Sequence, residues 1–301
     1  MDSEMVARVR SFNRTVGERI GALDQRFLGR DRPLGASRVL WEIGPDGREV
    51  GELRRGLGLD SGYLARLLRA LEGERLVVVA PGPGDGRRRH ARLTAAGAAE
   101  RAELDRLSVE LAASVLAPLD EGERARLTTA MAEVERLLAA ASVAVAAEDP
   151  ASPDARRCLA AYVAELDRRF PGGFDPSLSI PADDDDLTPP AGALLVARLR
   201  GRAVGCGALK LHAGAPAELK RMWVAPEARG LRLGRRILRE LEARAADAGA
   251  AVVRLETNAS LTEAIALYRR SGYREVAAFN GEPYADHWFE KRLGPGAGGR
   301  E

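Results

Sequence analysis

The chain has 301 residues, of which 46% are hydrophobic and 30% charged, and its formal net charge is +2. Such a length suits two globular domains with separate cores, and the composition is that of a soluble, globular class. The charged N-terminus lacks the apolar run of a signal peptide, and no stretch reaches the ~18 apolar residues of a membrane span. We therefore expect a cytoplasmic protein with no membrane partner.

Cysteine and histidine usage bears on metal binding and on the cellular compartment. The chain has two widely spaced cysteines, Cys158 and Cys206, which match no metal-ligand spacing, and three histidines. This scarcity predicts that no metal is bound, and such cysteines are typical of a reducing cytoplasm.

The first half of the chain is predicted to be mainly helical. Apolar residues recur at helical spacing over 6–27, and a second long helical pattern runs from Thr94 to about Ala147. Between them lie three short segments, followed by two strand-like runs on either side of the turn-forming sequence 81–86. The short segments are Ala36–Ile43, Val50–Gly56 and Ser61–Gly73, and the strand-like runs are Leu76–Ala80 and Arg88–Leu93.

The segment 148–154 is rich in proline, serine and acidic residues, which is typical of a linker. We therefore predict a first domain over residues 1–147 and a second over 155–301. The second domain alternates predicted helices and strands. The helices are 155–170, 229–248 and 262–271, and the strands are 193–199, 203–211, 218–224 and 251–257.

The most informative stretch of the second domain joins a strand to a helix. The strand ends at Val224, Pro226 stops it, and a glycine-containing loop leads directly into the helix. The N–H groups of the loop and of the helix N-terminus then point the same way and present partial positive charge, which predicts a pyrophosphate site. A dinucleotide site is disfavoured, because there is no G-x-G-x-x-G and no acidic residue ~20 positions later.

Two motifs in this domain resemble the GNAT superfamily of N-acetyltransferases. Residues 229–234 match its pyrophosphate loop, and a later helix carries its Ala-x-x-Leu-Tyr element at Ala264, Leu267 and Tyr268, followed by Gly272 and Tyr273. The resemblance covers roughly residues 155–293. It implies a mixed α/β fold with a central, mostly antiparallel twisted sheet, and acetyl-CoA as the co-substrate.

The chain departs from the family pattern in two places. Arg232 stands where the loop has its first glycine, so that either its side chain pairs with a CoA phosphate or cofactor affinity is reduced. The asparagine that usually begins the tyrosine helix is missing, and the sequence Ser260–Glu263 predicts a capping box instead.

The resemblance implies roles for particular residues. The main chain of Met222 and Val224 would pair with the pantetheine arm, and the Met222 amide would polarise the thioester carbonyl. Asn258 would bond the pantetheine amide, and Tyr268 would protonate the departing thiolate. The pyrophosphate would be held by Arg229, Gly230, Leu231, Arg232, Leu233, Gly234 and Arg235.

A general base is the remaining requirement for acetyl transfer to an amine. The family often places a glutamate eleven residues before the loop, and Glu218 has that spacing from Arg229. Strand periodicity puts Glu218 on the same face as Lys220, Met222 and Val224. The alternatives are that Glu218 is a solvated strand-end carboxylate, or that Glu256 on the neighbouring strand is the base. Phe279 and Tyr284 are candidates for the wall of an acceptor pocket.

The segment 49–94 resembles the MarR family of winged helix-turn-helix regulators. The matching features are Leu53 in the first helix, the turn 57–60, Arg66 in the second helix, and the wing tip at Asp85–Arg87. The resemblance extends over about residues 1–145, and it implies double-stranded DNA as a partner. Residues 48–92 include ten basic and six acidic residues, a local excess of +4, which agrees with a polyanionic ligand.

Candidate DNA-binding residues lie on the second helix and on the wing. The helix offers Ser61, Tyr63, Arg66 and Arg69 to the major groove while leucines at 64, 67, 68 and 71 face the core. Arg87 would enter a minor groove, and Arg88 and Arg89 would contact phosphates. The long flanking helices imply a homodimer on a palindromic operator.

These features predict a bifunctional protein, a MarR-like transcriptional regulator fused to an acetyl-CoA-dependent N-acetyltransferase that serves an amine acceptor. In one alternative, the GNAT domain senses acetyl-CoA or a small ligand without turnover. In another, the winged helix only dimerises or docks a protein. The acceptor, either a small molecule or a protein lysine, is not specified by the sequence.

Overall fold

A computed structural model of the chain describes residues 2–22, 24–82 and 88–294. The chain divides into two compact units, Met1–Ala132 and Glu133–Glu301. No helix within the described ranges is long and apolar enough to cross a membrane. This division falls between Ala132 and Glu133, whereas the predicted linker is at 148–154. The predicted boundary of the two folding domains stays a prediction.

The first half has the element order of a winged helix-turn-helix. Its three-stranded antiparallel sheet has the order β1-β3-β2. The helices are α1 (Ser3–Arg19), α2 (Leu34–Ile43), α3 (Val50–Leu57), α4 (Ser61–Gly73), α5 (Ala95–Leu116) and α6 (Glu121–Ala141). The strands are β1 (Arg48–Glu49), β2 (Val77–Pro81) and β3 (Arg89–Leu93).

Local sequence signals form the helix-turn-helix. Gly58 ends α3 in the left-handed conformation, with φ of 64°. The Asp60 side chain then accepts a hydrogen bond from the Tyr63 amide at 2.8 Å and begins α4. The four predicted core leucines of α4 are buried against α2 and α3, which leaves the opposite face of α4 exposed. The predicted inward face of this helix is confirmed, whereas Tyr63, predicted to face outward, is half-buried and packs against the core beside Gly35 of α2.

Two helical predictions in this half are wrong in extent. The first helix ends at Arg19, with Gly21 beyond it at φ of 63°, and does not continue to residue 27. The pattern predicted from Thr94 to Ala147 is interrupted after α5, where Pro118 stands between the two helices. Asp120 accepts from the Glu123 amide at 2.8 Å and starts α6. Residues 144–148 form a strand, because a neighbouring strand pairs with them.

The second half is a mixed α/β unit, as predicted. Its seven-stranded sheet has the order β4-β5-β6-β7-β8-β10-β9, and every neighbouring pair is antiparallel except β7 and β8. The strands are β4 (Ala144–Glu148), β5 (Gly192–Leu199), β6 (Arg202–Lys210), β7 (Ala217–Val224), β8 (Val252–Thr257), β9 (Arg274–Val276) and β10 (His287–Arg292). The helices are α7 (Pro153–Arg169), α8 (Leu233–Asp247) and α9 (Thr262–Arg270).

Helices cover both faces of this sheet. Ile237 and Leu241 of α8 are fully buried in the larger core, together with Leu195 and Leu209 of the sheet. On the other face, Cys158 of α7 packs in a smaller core with the sheet residues Val196, Cys206 and Ala208. The helix α8 connects the two parallel strands β7 and β8, the crossover that such a pair requires.

The parallel strands β7 and β8 separate soon after they meet. Their ladder has two residue pairs, Ala217 with Val253 and Glu218 with Arg254. From Leu219 to Val224, the described residues of β7 pair on one side only, with β6. The unpaired edge of β7 therefore faces a groove, and its main-chain groups are available to a ligand, except the Val224 carbonyl, which accepts from the Arg229 side chain.

A bulge in β7 changes which side chains share a face. The register with β6 shifts between Cys206 and Ala208, opposite Arg221, whose φ is 55°. Lys220 lies opposite Ala208 and Trp223 lies opposite Cys206, so both point toward α7. Met222 points the other way, because a Cβ at Gly207 would lie 2.6 Å from its Sδ. The predicted common face of Glu218, Lys220, Met222 and Val224 is therefore wrong, since one extra residue inverts the alternation.

Candidate functional site

A groove of about 670 Å³ runs along the free edge of β7 to the start of α8. It brings together most of the residues predicted to hold the cofactor, which are Met222, Val224, Arg229, Gly230, Arg232, Leu233, Gly234, Arg235 and Tyr268. Two predicted residues lie outside this lining. Leu231 packs against the larger core, and Asn258 lines a neighbouring cavity.

The loop before α8 presents a row of main-chain donors. The amides of residues 230–235 donate to no main-chain or side-chain acceptor among the described residues. Gly230 has φ of 82°, and α8 begins at Leu233, so the free amides of the loop adjoin those of the first helical turn. Free amides together with a helix dipole form an anion site, and a diphosphate fits this chemistry.

Arg232 occupies the N-cap of α8 in the left-handed conformation, with φ of 58°. This backbone geometry explains why a glycine suits the position: an L side chain there costs about 1–2 kcal/mol. Despite the substitution, the loop retains its free amides.

Arg229 ties the loop to α7 with its side chain. Its Nη2 lies 2.6 Å from both carboxylate oxygens of Glu165, and its Nε donates to the Val224 carbonyl at 3.2 Å. The same carboxylate accepts from the Trp223 indole at 2.9 Å. The Arg229 guanidinium thus positions the loop. The main-chain amides of the loop are then the groups that would bind a phosphate. Glu165 is a functional candidate that sequence reasoning missed, because its partner lies 64 positions away.

Tyr268 lies where the groove adjoins a second cavity, and it lines both. Its side chain is buried, and burial raises the pKa of its hydroxyl above the ordinary value, with further contributions from Tyr162 and Glu256. The ring packs against Tyr273 at 5.8 Å and Phe289 at 6.1 Å between centroids. Tyr162 of α7 also lines both cavities, and burial likewise raises its pKa. No motif in the sequence singles out Tyr162.

The second cavity, of about 100 Å³, combines charged and aromatic side chains. Its charged lining residues are Lys220, Arg221, Glu256 and Glu282, and its aromatic ones are Tyr162, Phe170, Phe174, Tyr268 and Tyr284. The predicted pocket residue Tyr284 is therefore present. Phe279 is not part of the lining, and its ring lies 4.4 Å from the Arg254 guanidinium.

The two candidate bases differ in their surroundings. Glu218 lines neither cavity, and its carboxylate accepts from Arg254 at 2.6 Å. Burial would raise the pKa of Glu218, but the Arg254 hydrogen bond and the charges of Lys220, Arg254 and His212 hold it below its ordinary value. Glu256 lines the second cavity beside Tyr268 and forms an ion pair with Lys220.

Asn258 and the start of α9 stabilise one end of the second cavity. The Asn258 side chain donates to the Tyr284 carbonyl at 2.8 Å and accepts from the Ser260 amide at 2.9 Å. The predicted capping box is wrong, because the Ser260 hydroxyl makes no hydrogen bond among the described atoms. Glu263 instead accepts from Arg169 of α7 at 2.8 Å, a tertiary contact that replaces the local one.

The predicted DNA-binding residues on α4 are accessible. Ser61, Arg66 and Arg69 are exposed, Tyr63 is half-buried, and the Arg66 guanidinium lies 5.6 Å from the Tyr63 ring centroid. On the wing, Arg89 is exposed, and Arg88 forms an ion pair with Glu49 at 3.3 Å. Asp85 and Arg87 lie outside the described residues.

Comparison with known proteins identifies the family of the second half. The model of the acetyltransferase (GNAT) family matches residues 160–273. A protein named IAA acetyltransferase from Azospirillum brasilense is 37% identical over 144 residues, which are 48% of this chain and 90% of the relative. The chain belongs to the GNAT family of acetyltransferases. Its GNAT half is an N-acetyltransferase domain, and the resemblance seen in the two motifs is confirmed.

Solved structures align with each half of this GNAT chain separately. An acyl-CoA N-acyltransferase from Klebsiella pneumoniae, described as putative, covers 50% of this chain and 97% of its own, at 30% identity and a TM-score of 0.41. A mutant MarR from E. coli, complexed with operator DNA, covers 44% of this chain and 99% of its own, at 25% identity and a TM-score of 0.38. The winged helix-turn-helix assignment rests on the element order of the first half.

The left-handed Arg232 generates a stability prediction. Replacing Arg232→Gly removes the conformational penalty, so we expect the free energy of unfolding to rise by about 1 kcal/mol, as read from urea denaturation. The matched control is Arg235→Gly, the same change within α8, which should lower it by about 1 kcal/mol. A loss of stability in Arg232→Gly would mean that the side chain makes stabilising contacts. Calorimetry with CoA on the same variant measures what Arg232 contributes to phosphate binding.

Proposed function

We propose that this chain is a bifunctional protein, a DNA-binding regulator that also transfers an acetyl group from acetyl-CoA directly to an amine. The observation that carries the enzymatic part is the continuity of the free amides at residues 230–235, the open edge of β7 and the buried Tyr268. These three features fit the parts of acetyl-CoA in the order in which they follow one another in the molecule. The free amides suit the diphosphate, the open edge of β7 suits the amide-bearing arm, and Tyr268 suits the thioester.

Acetyl-CoA supplies an acetyl thioester, and side chains and main-chain groups of this chain act around it. The Met222 amide, on the free edge of β7, donates a hydrogen bond to the thioester carbonyl oxygen and stabilises the negative charge that develops there. The amine nitrogen forms a bond to the carbonyl carbon, and the carbon–sulfur bond breaks. Tyr268 gives its proton to the departing sulfur, and its raised pKa keeps that proton on the hydroxyl at neutral pH.

The proton of the attacking amine passes to a carboxylate. We favour Glu256, because it lines the cavity that Tyr268 also lines, whereas Glu218 lines neither cavity. Glu218 stays the alternative predicted from the family spacing, acting through a water molecule.

We expect Tyr268→Phe to lower kcat by about 10²–10⁴-fold while the Kd for acetyl-CoA stays nearly unchanged, because the phenyl ring packs as before but gives no proton. Turnover is measured by thiol release with an amine panel, and affinity by calorimetry. The control is Tyr273→Phe, a neighbouring tyrosine that lines neither cavity, which should retain wild-type kcat. Equal turnover in wild type and Tyr268→Phe removes Tyr268 from the mechanism.

The variants Glu256→Gln and Glu218→Gln distinguish the roles of the two carboxylates. We expect the first to lower kcat/KM by about 10²-fold, because the amide accepts no proton. The second should change kcat/KM much less and act mainly on stability, since it leaves Arg254 without its carboxylate partner. A larger loss of kcat/KM in Glu218→Gln than in Glu256→Gln would identify Glu218 as the base.

We propose double-stranded DNA as the partner of the first half and a homodimer as its bound form. In support, α4 exposes Ser61, Arg66 and Arg69 while its leucines are buried, the arrangement that a recognition helix needs. The helix α1 exposes several large apolar side chains along its length, which favours a partner helix. They are Met5, Val6, Val9, Phe12, Val16 and Ile20.

Removal of a recognition-helix charge tests the DNA proposal. Arg66→Ala should weaken binding to the operator by about 1–3 kcal/mol in a salt-dependent gel shift. Arg239→Ala is the control, since it removes the same charge from an exposed position of α8 in the other half. Unchanged DNA affinity in Arg66→Ala, or no DNA binding by the wild type, would leave the winged helix as a dimerisation or protein-docking module.

A second candidate function is an acetyl-CoA sensor without turnover, favoured by Arg232 in the phosphate loop. Tyr268 and Glu218, which match the family pattern, favour catalysis instead. Thiol release at the expense of acetyl-CoA, on addition of an amine, distinguishes the two.

A further inference from the structure

We propose that the acceptor is an α-amino acid with a free carboxylate and an apolar side chain, and that Arg221 binds the carboxylate. This inference rests on the acetyl transfer proposed above and specifies its acceptor. The site is the cavity of about 100 Å³ beside Tyr268, which Arg221 lines together with Glu256 and five aromatic residues, Tyr268 among them.

The charge of Arg221 has no carboxylate partner in the described part of the chain. The guanidinium is half-buried, and its hydrogen bond goes to a neutral acceptor, the Ala182 carbonyl, at 3.2 Å. In the acidic turn nearby, Asp184 is paired with Arg156 and Asp186 with Lys210, and Asp183 and Asp185 line a further cavity with Arg221 but form no ion pair with it among the described residues. A half-buried guanidinium without a counter-ion favours an anionic ligand, and its planar fork matches a carboxylate.

The other cation of the cavity differs in this respect. Lys220 forms an ion pair with Glu256 and lies 3.7 Å from Glu218, so its charge is compensated inside the protein. Glu282 is also engaged, since it accepts from the Ser179 hydroxyl at 2.9 Å and the Ile180 amide at 2.8 Å. Arg221 is therefore the cation of this cavity that is left for a ligand.

The backbone of Arg221 gives a second, independent argument. The residue sits at the bulge of β7 with φ of 55°, a conformation that glycine or asparagine adopts at lower cost. An arginine there costs about 1–2 kcal/mol of strain, and such strain is concentrated at functional sites. The following residue is Met222, which lines the groove, so the proposed carboxylate anchor and the proposed thioester donor belong to one bulge.

The remaining walls match the rest of an amino acid. Phe170, Phe174 and Tyr284 form an aromatic cluster, with ring centroids 4.8–5.8 Å apart, which suits an apolar side chain. Glu256 lies on the lining with its carboxylate and attracts the ammonium before it is deprotonated. A zwitterion thus meets Arg221 with its carboxylate, and with its amine it meets the Glu256 carboxylate, which also holds the Lys220 ammonium.

The test compares three acceptors that share a phenethylamine skeleton and carry a carboxylate, a carboxamide or a hydrogen on the α-carbon: L-phenylalanine, L-phenylalaninamide and phenethylamine. For the wild type we expect kcat/KM to be at least tenfold higher for the amino acid than for the amide or the amine. L-leucine should behave like L-phenylalanine. Similar values for the three aromatic acceptors, or a preference for a lysine-containing peptide with blocked ends, would overturn the proposal.

The variant Arg221→Asn removes the charge while retaining a residue that tolerates the left-handed backbone. It should raise KM for L-phenylalanine at least tenfold and leave the amide and the amine unchanged, and Arg221→Lys should restore part of the loss. The matched control is Arg200→Asn, the same change at φ of 50° in the exposed turn between β5 and β6, which should alter none of the acceptors. An equal loss for all three acceptors in Arg221→Asn would assign Arg221 to structure alone.

A binding measurement separates this inference from the proposed activity. Calorimetry in the presence of CoA compares N-acetyl-L-phenylalanine with its amide, and no turnover is needed. Tighter binding of the carboxylate in the wild type, lost in Arg221→Asn, supports the anchor even if thiol release is absent. Equal binding of both compounds contradicts the anchor, whatever the activity.

Discussion

The early separation of β7 and β8 is the constraint on which the site depends. Two residue pairs hold these strands together, and beyond them the described residues of β7 pair with no strand on this edge, where the Val224 carbonyl accepts from the Arg229 side chain. The crossover helix α8 starts directly after β7, so that its free amides continue the same line of donors. A ligand that extends the sheet and ends in a phosphate meets both sets of groups. Because these are main-chain groups, the arrangement tolerates side-chain changes such as Arg232.

Two arginines in the left-handed conformation lie at opposite ends of the row of main-chain groups that runs from β7 to the start of α8. Arg221 forms the bulge in β7 directly before Met222, and Arg232 forms the turn into α8. Each holds a backbone shape that glycine would hold at lower cost. The strain is supported by the surrounding structure, since the bulge is packed between β6 and α7 and the loop is tied to α7 through Arg229 and Glu165.

The helix α7 connects the parts of the acetyltransferase site. Its Glu165 holds the phosphate loop and the Trp223 indole, its Arg169 holds Glu263 at the start of α9, and its Tyr162 lines both cavities. These contacts give α7 a role that its sequence pattern, an amphipathic helix, does not indicate. Movement of α7 would therefore affect the cofactor groove and the acceptor cavity together.

The sequence by itself determined the features that depend on neighbouring residues. Turn and capping residues such as Gly58 and Asp60 defined the helix-turn-helix, and the Arg229–Gly234 loop with Tyr268 indicated the GNAT family. The tertiary structure alone decided which face each β7 side chain occupies, the strand formed by residues 144–148, and the pairing of Arg229 with Glu165. The physical reason is range: dihedral preferences and caps act over a few residues, whereas strand register, bulges and ion pairs depend on groups far apart in the chain.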